Sequence, residues 1–301
     1  MRKKILCVLI VCLSLMVYGC GSNEQDSSEK KEKGASVTEA VVNEPDPTAT
    51  LTPTSTPTPT VNLSRDVVNE PITLNFTFGE RSGLYTGHLN ENGLPEGYGE
   101  FYRNVENGWT YRGEFINGHF YGKGEIVSDE EDTLIEAGTY TKDEFTPTFG
   151  EIVNSLGISD ALYFGRFEVP EKLIKFIDSQ KEYYPQAKAE QLSGIALQEF
   201  SAKQFKKTRE QDNPGMVKLN LTAQQAFEDK VDDLWGYNGY ITSILAYDSN
   251  YDRYAIYLFD RTDVCEGDTF EVYGLPINTG GFDNISGGTT NVIYLLACYM
   301  K

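Results

Sequence analysis

Histidine is scarce in this 301-residue chain, which contains only His88 and His119. Each stands beside a glycine of a repeated segment, and no cysteine, serine or histidine is spaced to complete a metal or catalytic site around it. No Ser-His-Asp motif is visible either. These shortages favour a protein that is not an enzyme and that holds no metal or cofactor. The alternative from another class is a carboxylate-based hydrolase, which would need two carboxylates converging near a cleft.

Basic residues are also in short supply, with 26 lysines and arginines against 45 aspartates and glutamates. The formal net charge of −19 predicts an acidic surface that repels nucleic acid and anionic lipid headgroups. Asp248, Asn250 and Asp252 are spaced as at the start of a calcium-binding EF-hand loop. Arg253 and Phe259, however, occupy the positions where that loop needs glycine and glutamate, so a β-turn is the better interpretation.

Only five cysteines are present, and three of them fall within the first twenty residues. That segment begins with the basic run Met1–Lys4 and continues with the apolar run 5–17, which is too short to cross a bilayer permanently. It ends in Val17-Tyr18-Gly19-Cys20, which resembles the lipobox of bacterial lipoproteins. The resemblance implies cleavage before Cys20, lipid on its sulfur, and attachment to the extracytoplasmic face of the cell membrane. The alternatives are an ordinary secretory signal and an uncleaved anchor.

The two remaining cysteines, Cys265 and Cys298, leave a disulfide open. Such a bond is allowed outside the cytoplasm. A buried free thiol is equally compatible with the apolar run around Cys298. The sequence does not decide between the two states.

Residues 20–64 have almost no large apolar side chains and therefore cannot bury a core. Proline and threonine alternate between residues 45 and 60. This composition favours extended polyproline II structure, so the segment is predicted to be a stalk that holds the folded region away from the lipid. Thr-rich stalks of this kind can be O-glycosylated, which is an inference from composition alone.

Residues 65–168 contain a repeat, in which the central glycines Gly87, Gly113, Gly138 and Gly165 are 26, 25 and 27 positions apart. A second echo follows in three of the units as Gly-Glu and an apolar residue, at Gly99, Gly124 and Gly150. A period of this length indicates an array of one supersecondary unit. Within the unit, Tyr111, Gly113 and Phe115 share one face of a strand, and Asn117-Gly118 is a strong hairpin-turn signal.

These positions resemble the MORN repeat. The residues that carry the resemblance are Tyr85, Gly87, Gly93, Gly97 and Gly99 in the first unit, and Tyr111, Gly113, Phe115, Gly118, Gly122 and Gly124 in the second. The first unit has one extra residue before Gly93, and the third and fourth units keep only fragments. The resemblance implies stacked β-hairpins that bind proteins or, in some members, lipids, without catalytic residues. Residues 70–168 hold 18 acidic and 6 basic side chains, which disfavours the lipid option.

Helical patterns occupy residues 169–234. A helix is expected to begin at Pro170, a second to span Ala187–Arg209, and a third to span Ala223–Leu234 with Thr222 as its N-cap. Their apolar spacing is typical of core packing.

Four strands are expected after residue 235, at 239–245, 254–259, 269–273 and 292–297, with turn-rich connections. The run Glu266-Gly267-Asp268, leading into a strand that ends in Tyr273-Gly274, resembles the OB-like domains of the tRNA-anticodon-binding type. OB barrels often bind oligonucleotides or oligosaccharides. Residues 235–301 hold 8 acidic against 3 basic side chains, so nucleic acid is not the expected ligand.

The sequence therefore predicts a mainly β protein with a helical connector. Its parts are a signal peptide at 1–19, a stalk at 20–64, a MORN-like array at 65–168, a connector at 169–234 and an OB-like barrel at 235–301. The expected function is that of a membrane-anchored, non-enzymatic binding or scaffold module for a protein or a cell-envelope polysaccharide. A carboxylate-based envelope hydrolase and a purely structural spacer are the alternatives.

Overall fold

The computed structural model describes residues 63–128, 135–159, 161–208, 213–284 and 287–301. Within them, strands form an open seven-stranded sheet and a closed five-stranded barrel, so the mainly β prediction is confirmed. The signal segment, Cys20, nearly all of the stalk and the acidic run Asp129–Asp132 lie outside the described residues.

The open sheet, which we call the array, is a meander of consecutive antiparallel strands. Its strands are β1 (Arg65–Phe76), β2 (Gly79–Leu89), β3 (Pro95–Arg103), β4 (Trp109–Ile116), β5 (His119–Ser128), β6 (Glu136–Thr141) and β7 (Glu144–Phe145). The predicted turn between β4 and β5 is present, with Asn117 at φ 50° and Gly118 at φ 81°. Both left-handed conformations suit a tight hairpin, which explains the Asn-Gly pair.

Strand β1 forms one edge of the array and is irregular. Its pairing with β2 shifts register between Val67 and Glu70, where Asn69 has a left-handed φ of 50°. Pro71 follows, opposite Leu84. A proline inside a regular ladder has no N–H to offer, so its nitrogen faces the free edge.

Aromatic side chains fill the inner face of the array. Strand β1 approaches β5 as the sheet curls, and the rings of Phe76 and Phe120 lie 4.7 Å apart between centroids. The buried aromatics of this face are Phe76, Tyr85, Phe101, Trp109, Tyr111, Phe115, Phe120 and Tyr140. A one-layer sheet therefore obtains a core by curling over large rings.

The array ends at Phe145, so the hairpin prediction for the following residues up to 168 is wrong. Residues Phe149–Ile158 form helix α1, which contains the segment expected to be the last strand echo. Thr148 and Glu151 cap this helix reciprocally, and such a capping box stabilises a helix start. Residues 163–167, the expected fourth unit, contain no strand.

The connector is only partly helical. Helix α2 spans Glu171–Ser179 and begins after Pro170, as predicted. The continuous helix expected over Ala187–Arg209 is wrong: a 3₁₀ helix covers Ala189–Gly194 and helix α3 covers Ala202–Thr208. Leu197 between them makes a parallel bridge to Met216, which holds the chain extended there.

The barrel contains β8 (Val217–Leu234), β9 (Tyr237–Tyr247), β10 (Arg253–Leu258), β11 (Thr269–Asp283) and β12 (Thr289–Met300). Its strands follow the order β8-β9-β10-β12-β11 and close by pairing β11 with β8, while β10 and β12 run parallel. The four strands expected after residue 235 are present.

The helix expected over Ala223–Leu234 is wrong, because this segment is the second half of β8. Irregularities at Ala223/Gln225 and Val231/Leu234 shift the alternation of buried and exposed residues, which hides the period of a strand. The first half of β8 pairs with β11 and the second half with β9. These partners lie far along the chain, and their pairing overrides the local helix preference.

Candidate functional site

The predicted repeat residues Tyr111, Gly113 and Gly124 form one packing unit. The Tyr111 ring lies over both glycines, and a Cβ on Gly124 would stand 2.5 Å from its hydroxyl oxygen. That hydroxyl donates a hydrogen bond of 2.9 Å to the Glu114 carbonyl. Phe115 packs edge-on against the same ring. The glycines are therefore needed because the tyrosine occupies the space of their side chains.

The first unit repeats this arrangement with Tyr85 over Gly87 and Gly99. The Tyr85 hydroxyl donates to the His88 carbonyl at 3.1 Å. Burial, together with the carboxylates of Glu96 and Asp66, raises the pKa of Tyr85 to about 12, so the phenol keeps its proton at neutral pH.

The other repeat glycines also occupy equivalent places in the two units. Gly97 and Gly122 stand where β3 and β5 bulge, with left-handed φ values of 73° and 61°. Gly93 lies in the turn between β2 and β3, with φ 75°. These repeat residues shape the array and leave the exposed side chains to make other contacts.

Glu151 replaces the tyrosine in the third unit. Its carboxylate covers Gly138 and accepts hydrogen bonds from the Thr139 and Thr148 backbone N–H groups at 3.1 and 2.9 Å. Lys123 completes the site as an ion-pair partner. Burial alone would raise the pKa of Glu151, but the bonds from Lys123 and Thr148 outweigh it and lower the pKa. Glu151 thus joins α1 to the end of the array, a role that the repeat pattern concealed.

The outer face of the array combines tyrosines with carboxylates. We define it by Tyr98, Glu100, Tyr102, Arg112, Glu114, Tyr121 and Glu125, which lie on the side of β3 to β5 opposite the buried aromatic rings. Tyr98 is 73% exposed and stands opposite Glu114. Arg112 is already engaged, at 2.7 Å from Glu100 and 3.4 Å from Glu125. The face is therefore acidic, and it carries a largely exposed aromatic ring.

Ser64, His88 and Asp66 form a hydrogen-bond chain that sequence reasoning missed. Ser64 Oγ lies 3.2 Å from His88 Nε2, and His88 Nδ1 lies 2.8 Å from Asp66 Oδ1. The order of contacts is that of a nucleophile, a base and an orienting acid. The side chains of His88 and Asp66 are 47% and 88% exposed, however, so water competes for both contacts. This contact could have been predicted from a hairpin in which Asp66 pairs with His88.

The second histidine has a structural role. His119 Nδ1 lies 2.7 Å from the buried carboxylate of Asp143, which also accepts hydrogen bonds from the Thr77 and Phe120 backbone N–H groups. Because a carboxylate only accepts, the histidine donates here. Asp143 thereby ties the β1–β2 turn and β5 to the turn before β7.

Trp235 joins the array to the barrel. It lies in the turn between β8 and β9, and its indole N–H donates to Glu136 of β6 at 3.1 Å. Its ring also packs edge-on against Phe145, with centroids 5.3 Å apart. Burial raises the pKa of Glu136, which the hydrogen bonds from Trp235 and Tyr140 only partly offset. Neither Glu136 nor Glu151 is a free carboxylate, since both hold structural hydrogen bonds.

Helix α1, the segment that follows it and the connector together cover one side of the barrel. Phe167 stacks on Tyr257 of β10 at 5.5 Å, and Phe149 of α1 packs edge-on against Phe259 at 4.8 Å. The outward residues of β9 and β10 are consequently buried. This side of the barrel is occupied by the chain itself.

Cys265 and Cys298 are free thiols in this structure, one exposed and one buried. Burial raises the pKa of Cys298 to about 12, so this thiol stays protonated at neutral pH. Among the described residues, no cluster of histidine, cysteine and carboxylate side chains could hold a metal ion. No described helix has both the length and the apolar character needed to traverse a bilayer.

Comparison of the chain with protein-family models, curated proteins and solved structures gave no match.

Proposed function

We propose that this protein is a lipid-anchored, extracytoplasmic binding module whose array captures a protein partner through its outer face. The observation that carries the proposal is Tyr98, a largely exposed aromatic ring on a strand, with Glu114 opposite and Glu100 beside it. Tyrosines in such positions often dominate the energy of protein interfaces. The ring would form the centre of the contact and the carboxylates its polar surround.

The charge of the outer face favours a basic partner. Its single arginine is paired with Glu100 and Glu125, and Glu114 forms no ion pair within the described residues. A protein surface with lysines or arginines around an apolar patch would complement it, and opposite charges speed association. A polysaccharide is the other candidate, which the experiment below separates.

The resemblances to MORN repeats and to OB-like domains support the same function. The two equivalent Tyr-Gly-Gly units are what a MORN-like array would contain. The barrel order, in which the third strand pairs in parallel with the fifth, is compatible with an OB-like barrel. OB-folds commonly bind ligands on their second and third strands. Here helix α1, the segment that follows it and the connector cover that side, which favours the array as the binding element.

The anchor is proposed from Cys20, which lies outside the described residues. Two or three acyl chains give stable membrane attachment, whereas one is marginal. Cys20→Ala is expected to release the protein from the membrane fraction. Unchanged retention of this variant would refute the lipid anchor without affecting the binding proposal.

Site-specific photo-crosslinking in the native cells tests the binding surface. A benzophenone amino acid replaces Tyr98, and a matched control replaces Leu197, which is 45% exposed in the connector. We expect a discrete protein adduct at position 98 only, and its loss when Glu100 and Glu114 are both changed to lysine.

Three results would contradict the proposal. Equal crosslinking at both positions would indicate nonspecific contact, and no adduct at either would favour a structural spacer. An adduct that glycosidases remove and proteases do not would identify a polysaccharide as the partner.

A further inference from the structure

A shallow depression of about 390 Å³ lies at the end of the barrel beside the β9–β10 hairpin. Its lining includes Gln224, Tyr247, Tyr251, Arg253, Glu266 and Gly267. These residues come from three separate stretches of chain: β8, the hairpin, and the turn before β11. The volume lies within the range of small-molecule sites. None of these residues belongs to the outer face of the array.

Two tyrosines form the aromatic part of the depression. The rings of Tyr247 and Tyr251 stack with centroids 5.6 Å apart and planes inclined by 12°. Tyr251 is 76% exposed and has a left-handed φ of 60°, a conformation that costs a non-glycine residue about 1 kcal/mol or more. The stack and the turn hold its ring in place, so that a ligand meets it with little loss of side-chain freedom.

The hairpin turn is rigid for an identifiable reason. The Asp248 carboxylate accepts hydrogen bonds from the Asn250 and Asp252 backbone N–H groups at 2.8 and 2.9 Å. The Asp248 oxygens that resembled calcium ligands are thus used by the turn backbone and by the Tyr254 hydroxyl, while Asp252 pairs with Lys206 of α3. The two backbone bonds fix the chain on either side of Tyr251.

The polar part of the depression is also fixed by the backbone. Gln224 is the extra residue of the β8 bulge, and a bulge redirects its side chain. Ala223 pins the turn that carries Glu266, accepting from the Gly267 N–H at 2.9 Å and donating to the Asp268 carbonyl at 2.8 Å. Within the described part of the chain, the side chains of Gln224, Arg253 and Glu266 form no hydrogen bond or ion pair. Their donors and acceptors are available to a ligand.

A pyranose sugar fits this combination of groups. Its C–H face packs on an aromatic ring, and its hydroxyls both donate and accept, which matches an amide, a guanidinium and a carboxylate placed together. Nucleic-acid bases also stack on tyrosine, but the excess of acidic residues in 235–301 repels a phosphate backbone. We propose that the depression is a carbohydrate subsite for neutral pyranose oligosaccharides. It is independent of the proposed protein-binding face.

Calorimetric titration of the full mature protein tests this subsite. The probes are cellotetraose, maltotetraose, mannotetraose and the tetramer of N-acetylglucosamine. We expect at least one of them to bind, and Tyr251→Ala to weaken that binding about tenfold. Tyr251→Phe, which keeps the ring, should stay within about threefold of the natural protein, while Glu266→Gln or Arg253→Ala should produce an intermediate loss.

Two further variants control for misfolding and for nonspecific binding to an exposed tyrosine. Tyr251→Gly removes the ring and relieves the left-handed strain, so it should lose sugar binding while its melting temperature stays equal or rises. Tyr98→Ala removes a tyrosine of matched exposure from the array and should leave sugar binding unchanged.

The proposal is overturned if no tetrasaccharide binds, if binding survives Tyr251→Ala, or if Tyr98→Ala weakens binding equally. Salt-sensitive binding of an eight-residue thymidine oligonucleotide that depends on Tyr251 would also overturn it, in favour of a nucleic-acid site.

Discussion

The array and the barrel are both β structures, yet their hydrophobic cores are built differently. The array is a single curled layer in which tyrosines fill the space left by glycines, and each strand pairs with its sequence neighbours. The barrel closes by pairing β8 with β11, which lies some fifty residues further along the chain, and its interior is largely aliphatic. The array could be predicted from the sequence because its strands pair locally. The first strand of the barrel could not, because it pairs with a strand far along the chain. The following predictions test whether the two parts are also energetically distinct.

The largest losses of stability are expected when a buried side chain is removed from either core. Tyr111→Ala should cost about 3–5 kcal/mol and Leu295→Ala, inside the barrel, about 2–5 kcal/mol, since both side chains are fully buried. Hydrogen exchange followed by mass spectrometry should show faster exchange mainly in β4–β5 for the first variant and mainly in β10–β12 for the second. Equal acceleration in both regions by either variant would mean that the molecule unfolds as one unit.

Glu151→Gln should destabilise the end of the array by about 1–3 kcal/mol at neutral pH, because it removes an acceptor of several hydrogen bonds and the partner of Lys123. The folded pKa of Glu151 is lowered, so its contribution is present above the ordinary value of 4.5 and is lost as pH falls through the folded pKa. Urea unfolding should show the two proteins converging at acid pH. A difference that stays constant down to pH 3 would contradict this assignment.

Glu136→Gln should instead stabilise the protein, by about 1 kcal/mol or less at neutral pH. Burial raises the folded pKa of Glu136. The neutral carboxyl therefore contributes its full share of the folding stability below pH 4.5, and this contribution is lost as the pH rises through the folded pKa. The glutamine remains neutral and can still accept from Trp235. Thermal melts at pH 4 and pH 7 provide the measurement, with Glu114→Gln on the outer face as an exposed control. Destabilisation at pH 7 would show that the charged form strengthens the joint between array and barrel.

The smallest effect is expected at the Ser64-His88-Asp66 chain. Ser64→Ala should change stability by less than about 0.5 kcal/mol, because the contacts are exposed to water. A fluorophosphonate probe, which labels activated serines, should not react with the natural protein. Labelling of Ser64 that disappears in His88→Ala would instead indicate a hydrolytic site and would contradict the non-enzymatic proposal.

The sequence predicted those parts of the fold that depend on neighbouring residues. The hairpin turn at Asn117-Gly118, the helix beginning after Pro170 and the strands β9 to β12 all have local signals. Helix α1 also has one, the capping box of Thr148 and Glu151, but the overlapping repeat fragment Gly150-Glu151-Ile152 predicts a strand. Strand β8 could not be recognised locally, because its bulges disrupt the alternation and its partners are distant.

The candidate surfaces were harder to predict than the fold. The repeat motif identified Tyr111 and its glycines, which pack the interior, and gave no information about Tyr98 on the opposite face. The depression around Tyr251 arises only when the bulge at Gln224 meets the turn at Gly267. No spacing rule connects those residues, since their proximity is a property of the closed barrel.

The irregular first strand has a consequence for self-association of the protein. An open sheet has edges, and a free edge can recruit the same edge of another molecule into a continuous ribbon. The register shift before Glu70 and the proline at position 71 interrupt the row of N–H groups that such a ribbon would need. Even at high concentration, copies of the protein would therefore not polymerise through β1, and the outer face of each array would remain accessible.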